Sequence, residues 1–494
     1  MTSETASVDK LMAEEATKSR LLALPGERTL GMRDMIMIQI SFSVATWMLL
    51  TGAYIGMSAP FWPALIISVF GTGFPLLYHT FLGKMVTRWG IDQSILARIT
   101  WGPVGTIILL PCFLFLMYFV WTSIPVVMFG RTVTEAIKIM GSEGQWWADA
   151  RLWGVVALIC SSLVLWRSAA VLFWFFRFVT PTIVVVLIIL TVRTIVVYGW
   201  GNLTHIIPEG FDPNHDMSYM IGSEVAIGLG FSWVFCYSIY GRLAKTEKVG
   251  YWGTWVGWGP AWGLLSAPAI LAALAAGVTD PVYLLEGANK AWVVIYLVFL
   301  FGANIFSAVC TMYIVSLAAR VLAPKIPWGL AVLLNAAVLV LVFWTGAYDQ
   351  FNKFITLVGA TFGPLGGIMV VDYWLKRYKV NLREAYTFGK KSAYWYWWGI
   401  NPFAFIAFAV GAALDVWMYN PFTLAVAHPS VFHIAGAAIP STLVASVVYY
   451  GLARTFLVPK RIGFPEVPTV RRTRKVSAAS VPQVALAEGG TVEP

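Results

Sequence analysis

The chain is 494 residues long, 59% hydrophobic and only 12% charged, with a mean hydropathy of +0.74 and a formal net charge of +10. Soluble domains carry about twice that share of charge, so an ordinary soluble protein is excluded. Apolar runs of roughly 18–25 residues, enough for a helix to cross about 30 Å of hydrocarbon, indicate an all-α polytopic membrane protein; a β-barrel would need short alternating segments, which are absent.

Residues 1–33 read as a polar cytoplasmic tail, expected to be mobile, with no apolar core and small-residue cleavage site to mark a signal peptide. Twelve transmembrane helices are predicted near 34–57, 62–81, 105–130, 152–167, 178–199, 218–240, 252–277, 291–320, 327–346, 354–375, 402–418 and 431–453. A basic cytoplasmic tail, 459–494, closes the chain, its "RRTRK" either touching anionic lipid headgroups or simply solvated. With both termini inside, 28 of the 34 Lys and Arg face the cytoplasm, and six (Arg131, Lys138, Arg151, Arg193, Lys290 and Lys353) face outward. That bias sets the orientation in the inner or plasma membrane and explains the net charge without a nucleic-acid partner. Oligomeric state leaves no mark in the sequence.

Span 1 contains "ISFSVATWMLLTGAYIG" and span 6, five spans later, "GSEVAIGLGFSWVFCYS"; both set Ser and Phe beside Trp among glycines. The parallel predicts a five-plus-five inverted repeat, 34–199 (spans 1–5) and 218–375 (spans 6–10), with spans 11–12 at 402–453 appended. Interrupted helices at matching positions would build a site near the bilayer midplane. Close helix packing is the other use of such residues. Glu224 is the acidic side chain inside a predicted substrate helix. Two readings stand: a desolvated proton carrier, or a carboxylate hydrated near the outer surface. Asp415, outside the repeats, is expected to pair structurally.

Cys112, Cys160, Cys236 and Cys310 are scattered through apolar segments, which predicts small buried hydrophobes and neither a metal site nor a disulfide framework. His79, His205, His215, His428 and His433 fall near predicted span ends or loops, without ligand spacing. No HExxH, His/Asp cluster or P-loop is present, so neither an enzyme nor an ATP-driven pump is indicated, and no cofactor. In "GPLGGIMVVDYWLKR", residues 363–377, Asp372 is expected at the cytoplasmic end of span 10, stabilised by water and the basic loop. Tyr373 and Trp374 suit the interfacial belt, and the stretch reads as a hinge and anchor rather than a substrate site.

Three stretches carry a family resemblance: "FITLVGATFGPLGGIMVVDYWLKRYKVNL" around span 10, "RWGIDQSILARITWGPVG" before span 3, and "YWYWWGINPFAFIAFAVG" leading into span 11. In order and spacing they resemble the nucleobase:cation symporter-1 family, which includes purine/cytosine permeases and hydantoin and allantoin transporters. "GRLAKTEKVGYWGTWVGWGPAW" after span 6 looks nearest the cytosine/purine branch. The resemblance implies secondary active transport of a nucleobase or related planar ring, purine or cytosine foremost, driven by Na+ or H+.

A flat ring calls for aromatics on its faces and hydroxyls or amides at its edge. The resemblance places Trp121 and Trp233 at the faces. Pro125 stands where relatives carry Gln or Asn, leaving Thr122, Ser123, Ser232 and backbone near Gly230 for the edge, with Ala45 and Thr311 completing the lining. It also implies a Na+ site between spans 1 and 8 from Ser41, the Val44 carbonyl, Ala303, Asn304 and Ser307, with Thr311 also available. Relatives carry adjacent hydroxyls where this chain reads Phe306-Ser307, so proton coupling stays open. The competing functions are transport of an amino acid, an amine or a thiamine-like cation by the same fold, and a receptor that binds without transport.

Overall fold

The computed structural model describes residues 22–465 apart from 44–45, 168–170, 212–215, 235–239, 281–288, 324, 344–345 and 347. Val44, Ala45, Cys236 and His215, all named above, lie outside the described residues. The described chain is helical, with extended pairing confined to isolated bridges.

In chain order the helices are α1 (Met32–Ser43), α2 (Thr46–Gly56), α3 (Phe61–Trp89), α4 (Gln93–Trp101), α5 (Pro103–Leu109), α6 (Leu116–Ile139), α7 (Ala150–Arg167), α8 (Val171–Tyr198), α9 (Trp200–His205) and α10 (Met217–Ser232). There follow α11 (Thr254–Trp258), α12 (Pro260–Leu265), α13 (Ala267–Ala276), α14 (Lys290–Leu322), α15 (Trp328–Phe343), α16 (Phe351–Leu375), α17 (Leu382–Tyr386), α18 (Pro402–Met418), α19 (Pro429–Ala435) and α20 (Ala438–Leu452). Each of the twelve predicted runs contains helix. Four stretches, Phe61–Trp89, Val249–Ala276, Lys290–Arg320 and Phe351–Leu375, are by length and composition able to cross a membrane, or six if each of two bent pairs is one span.

The interruptions have local causes. Between α5 and α6 the segment Leu110–Phe115 forms a π-turn at Pro111, whose ring supplies no N–H to the ladder. At Gly102, φ +83°, the chain turns by 119° between α4 and α5. The predicted loop before span 3 is therefore largely helix, capped by Asp92, which accepts from the Ser94 N–H at 2.8 Å. A second bend, of 85°, splits the predicted span 12 at Gly436 into α19 and α20.

Several expectations need correction. Residues 22–33, assigned to a mobile tail, are docked: Ala23 N–H donates to the Gly90 carbonyl at 2.7 Å and Leu30 exchanges 3.0 Å bonds with Leu243 and Lys245. His79 is not near a span end, because α3 runs to Trp89; it is fully buried with Nε2 3.3 Å from the Gly363 carbonyl. Among the described cysteines only Cys310 is buried; Cys160 is half-buried and Cys112 is exposed on the π-turn.

Asp372 is not hydrated either. It is 1% exposed, forms an ion pair with Lys376 one turn on, and accepts from Thr100 Oγ1 at 2.9 Å and Tyr449 OH at 2.7 Å. Asn401 Nδ2 donates to the Thr100 carbonyl at 2.8 Å and to Tyr449 OH at 3.2 Å. Val104 and Gly105 N–H both donate to the Gly399 carbonyl, at 2.9 and 3.1 Å. Thus all three stretches that carry the family resemblance meet at one buried junction. Tyr373 is buried beside it and does not join the interfacial belt, whereas Trp374 is exposed.

The glycines of "GPLGG" let neighbouring helices approach α16. A Cβ on Gly363 would collide with Thr442 of α20, one on Gly366 with the His79 imidazole of α3, and one on Gly367 would stand 2.5 Å from Ser446 Oγ. Gly366→Ala should therefore cost about 1–3 kcal/mol by overpacking, measured as a lower thermal midpoint in detergent. The added variant His79→Ala, which clears the space, should bring back part of the loss; a Gly366→Ala protein as stable as wild type would refute this packing account.

Candidate functional site

One helix ends where the site was expected. α10 ends at Ser232, with Trp233 as its C-cap at φ −102°, ψ 14°; in the first run α1 and α2 flank residues 44–45, which lie outside the described residues. At the end of α10 the Phe231 carbonyl accepts from the Val234 N–H at 3.0 Å.

Around the end of α10 four indoles form one cluster. Trp47, Trp121, Trp233 and Trp258 are all buried to within 1%. Ring centroids lie 5.7 Å apart for Trp47–Trp121, 5.4 Å for Trp47–Trp233, 5.2 Å for Trp121–Trp233 and 4.9 Å for Trp233–Trp258. Tyr118, one turn before Trp121, packs 5.5 Å from Trp233 and donates its hydroxyl to the Ser232 carbonyl at 3.1 Å. Phe354 and Phe351 of α16 set their edges against Trp121 at 5.2 and 5.9 Å, and Tyr54 stacks on Phe351.

Trp121 and Trp233 are thus brought together, but they lean on each other at 35°. A ring held between them would need centroids about 7 Å apart, two layers of about 3.5 Å, so in this conformation the indoles have to part to admit one. Among the described residues Trp121 Nε1 has no hydrogen-bond acceptor. Such a buried donor costs about 1–3 kcal/mol, and a carbonyl presented to it would recover that cost.

The hydroxyls expected at the ring edge are partly committed. Thr122 donates to the Tyr118 carbonyl at 2.6 Å, Ser123 to Val120 at 2.7 Å and Ser232 to Leu229 at 2.6 Å. Their protons serve their own helices, which leaves lone pairs: these groups can accept but not donate without breaking a bond. Gly230 lies inside α10, where it admits α3; a Cβ there would stand 3.0 Å from the Thr72 carbonyl oxygen. Pro125 sits within α6, one turn beyond Trp121.

On the cation side, α1 packs against α14. Ser41 and Ser307 are fully buried, and among the described residues neither hydroxyl has a hydrogen-bond partner. Ala303 and Asn304 are buried on the same helix as Ser307. Thr311 donates to the Ser307 and Ala308 carbonyls, both at 3.0 Å, and so bonds back to its helix. Two orphaned hydroxyl oxygens suit a hard cation.

Glu224 stands apart from the indoles. Its carboxylate accepts from Ala437 N–H at 2.8 Å and Ala438 N–H at 3.3 Å, at the bend that opens α20. It caps that helix and is buried, not hydrated. Asp415 accepts from Ser441 Oγ at 2.8 Å, the structural pairing expected for it. Sequence reasoning missed Trp258 and Tyr118 and did not assign Trp47 a role, although Trp47 occupies in span 1 the place Trp233 has in span 6. Nothing in the sequence pointed to Phe351 and Phe354, which α16 carries in from a distant part of the chain.

Residues 25–435 match the family model described as permease for cytosine/purines, uracil, thiamine and allantoin. The hydantoin permease of Microbacterium maritypicum is 21% identical over 430 residues, covering 79% of this chain and 82% of its own. The inward-facing conformation of Mhp1 superposes with a TM-score of 0.74 at 18% identity, over 89% of this chain and 93% of that one. A closed conformation of Mhp1 with bromovinylhydantoin bound, described as a nucleobase-cation-symport-1 family transporter, gives 0.69 at 19% identity, over 89% and 96%. A substrate-bound, outward-open Na+-coupled sialic acid symporter gives 0.55 at 9% identity, over 91% and 96%. The all-helical fold is therefore that of these membrane transporters. With its indole cluster at the end of α10, and with the family model spanning most of its length, this chain belongs to the nucleobase:cation symporter-1 family and is a multi-pass membrane transporter, not an enzyme.

Proposed function

We propose that the protein imports a small, neutral, planar heterocycle by alternating access, coupled to a cation, with purine or cytosine as the foremost substrates and hydantoin or allantoin as the alternative. The observation that carries this reading is the cluster of Trp47, Trp121, Trp233 and Trp258, with the unsatisfied Trp121 N–H in its midst. A ring parting Trp121 from Trp233 would gain two π-faces and give that N–H a carbonyl acceptor. Exocyclic N–H groups would meet the lone pairs of Thr122, Ser123 and Ser232.

Both termini are assigned to the cytoplasm on the charge bias of the loops. Arg131 would then lie outside, where it pairs with Asp349 at 2.6 Å and Asp280 at 3.3 Å and covers the Tyr348 ring at 4.5 Å. These contacts join α6 to the start of α16, and their separation would open the outer path. Na+ is the coupling ion favoured by the orphaned oxygens of Ser41 and Ser307.

A cationic substrate such as a thiamine-like ring is the weaker reading, because the carboxylate that would neutralise it, Glu224, is engaged by two backbone N–H groups. Glu224→Ala should leave those donors bare at about 1–3 kcal/mol and lower the yield of folded protein. Glu224→Gln, which keeps one acceptor, should transport with an unchanged pH profile. A profile flattened by Glu224→Gln would instead make this residue a proton carrier.

The function itself is tested by uptake of labelled adenine, cytosine, uracil, hydantoin and allantoin, each competed by the others, with and without Na+. Saturable, Na+-stimulated uptake of at least one ring is expected. Uptake of none of them, with an amino acid or amine taken up instead, would overturn the proposal.

A further inference from the structure

The end of α3 and the turn Val249–Gly253 enclose a groove of about 710 Å³, and none of the four clustered tryptophans lines it. Its charged lining is Lys84, Glu247 and Lys248. Arg88 engages Glu247 at 3.0 Å, so the two lysines leave the groove positive. The wall is aromatic: Phe81 packs 5.3 Å from Tyr251, which packs 4.9 Å from the exposed Trp252. Tyr251 OH donates to the Leu77 carbonyl at 2.8 Å, fixing that wall against α3.

The groove continues into an apolar stripe. Trp62, Ile66, Phe70 and Phe74, four residues apart on α3, are 53%, 57%, 66% and 65% exposed. At 3.6 residues per turn, these four, Phe81 and Lys84 fall within roughly 120° of the helix circumference. One helix face thus runs from bare hydrocarbon through a ring system to the Lys84 ammonium, and Lys248, just before the turn, lines the same groove. A soluble anion would use only the lysines. An anionic phospholipid uses all three zones: acyl chains along the stripe, glycerol against the rings, phosphate at the ammonium groups.

We propose that this groove is a binding site for an anionic phospholipid, with its phosphate held by Lys84 and Lys248 and its chains lying along Phe74 and Phe70, about 15 and 21 Å along the helix from Lys84. The transport activity is not needed for this site, and its test is independent of any substrate. The full chain, purified and delipidated in detergent, is titrated with phosphatidylglycerol or phosphatidylcholine, and the first bound lipid is read by native mass spectrometry.

Phosphatidylglycerol should be retained roughly tenfold more tightly, as two nearby basic residues lead one to expect. K84A/K248A should abolish that preference while still retaining phosphatidylcholine and its thermal stability; K84R/K248R should keep it. Inorganic phosphate at millimolar concentration should displace nothing. Equal retention of the two lipids by wild type, or a preference that survives K84A/K248A, overturns the site. Displacement of the lipid by phosphate overturns it too, by showing a simple anion site.

Discussion

Trp121→Ala is expected to reduce uptake of the transported ring at least tenfold, with the protein still present in the membrane. Stacking of a base on an aromatic ring is worth about 1–3 kcal/mol, or roughly tenfold to a hundredfold in affinity. Trp121 also supplies the unsatisfied N–H and touches Trp47, Trp233, Phe351 and Phe354. Truncating a packed indole costs about 3–5 kcal/mol of stability as well, so surface labelling has to accompany the uptake measurement. Trp121→Phe separates the effects: it keeps a π-face and most of the packing but removes the N–H, and should retain part of the uptake. Trp233→Ala should act like Trp121→Ala. Wild-type uptake by both alanine variants would remove the stacking model.

The second large effect is expected far from the indoles, at Lys376. Its ammonium pairs with Asp372 while both side chains are at most 2% exposed. It also stands 3.4 Å from Tyr396 OH, and Tyr396 in turn donates to the Ile99 carbonyl at 2.7 Å. Lys376→Met would leave a buried carboxylate with only Thr100 and Tyr449 as donors, at a cost of about 3–5 kcal/mol. The expected result is a large loss of folded protein and a lowered thermal midpoint in detergent. The double variant Asp372→Asn, Lys376→Met removes both charges and should recover much of the loss, because the penalty comes from the unpaired charge and not from the missing bond. Equal instability of the single and double variants would show that the junction is held by something other than this pair.

That junction explains why the motifs most telling of family lie away from the candidate substrate site. "ITWGPVG", "GIMVVDYWLK" and "GINPF" supply Thr100, Asp372, Lys376 and Asn401, and the close approach of Gly102 to the Gly399 carbonyl leaves no room for a Cβ. Such residues tolerate little change because three helices and a loop depend on them together. A ring site has to vary with its ring, which fits the absence of Gln or Asn beyond Trp121.

The sequence by itself determined the membrane class, the family and the apolar runs, since burial in lipid writes long hydrophobic stretches that need no knowledge of neighbours. It also marked the helix end at Trp233, because glycine and serine weaken a helix locally wherever it is placed. The tertiary structure alone decided that Asp372 is dry, that His79 packs against Gly366, that Glu224 caps the bend before α20, and that Phe351 and Phe354 cover Trp121. Each of these depends on which helix faces which, and that follows from side-chain packing between segments tens to hundreds of residues apart, a relation that hydropathy along one chain does not encode.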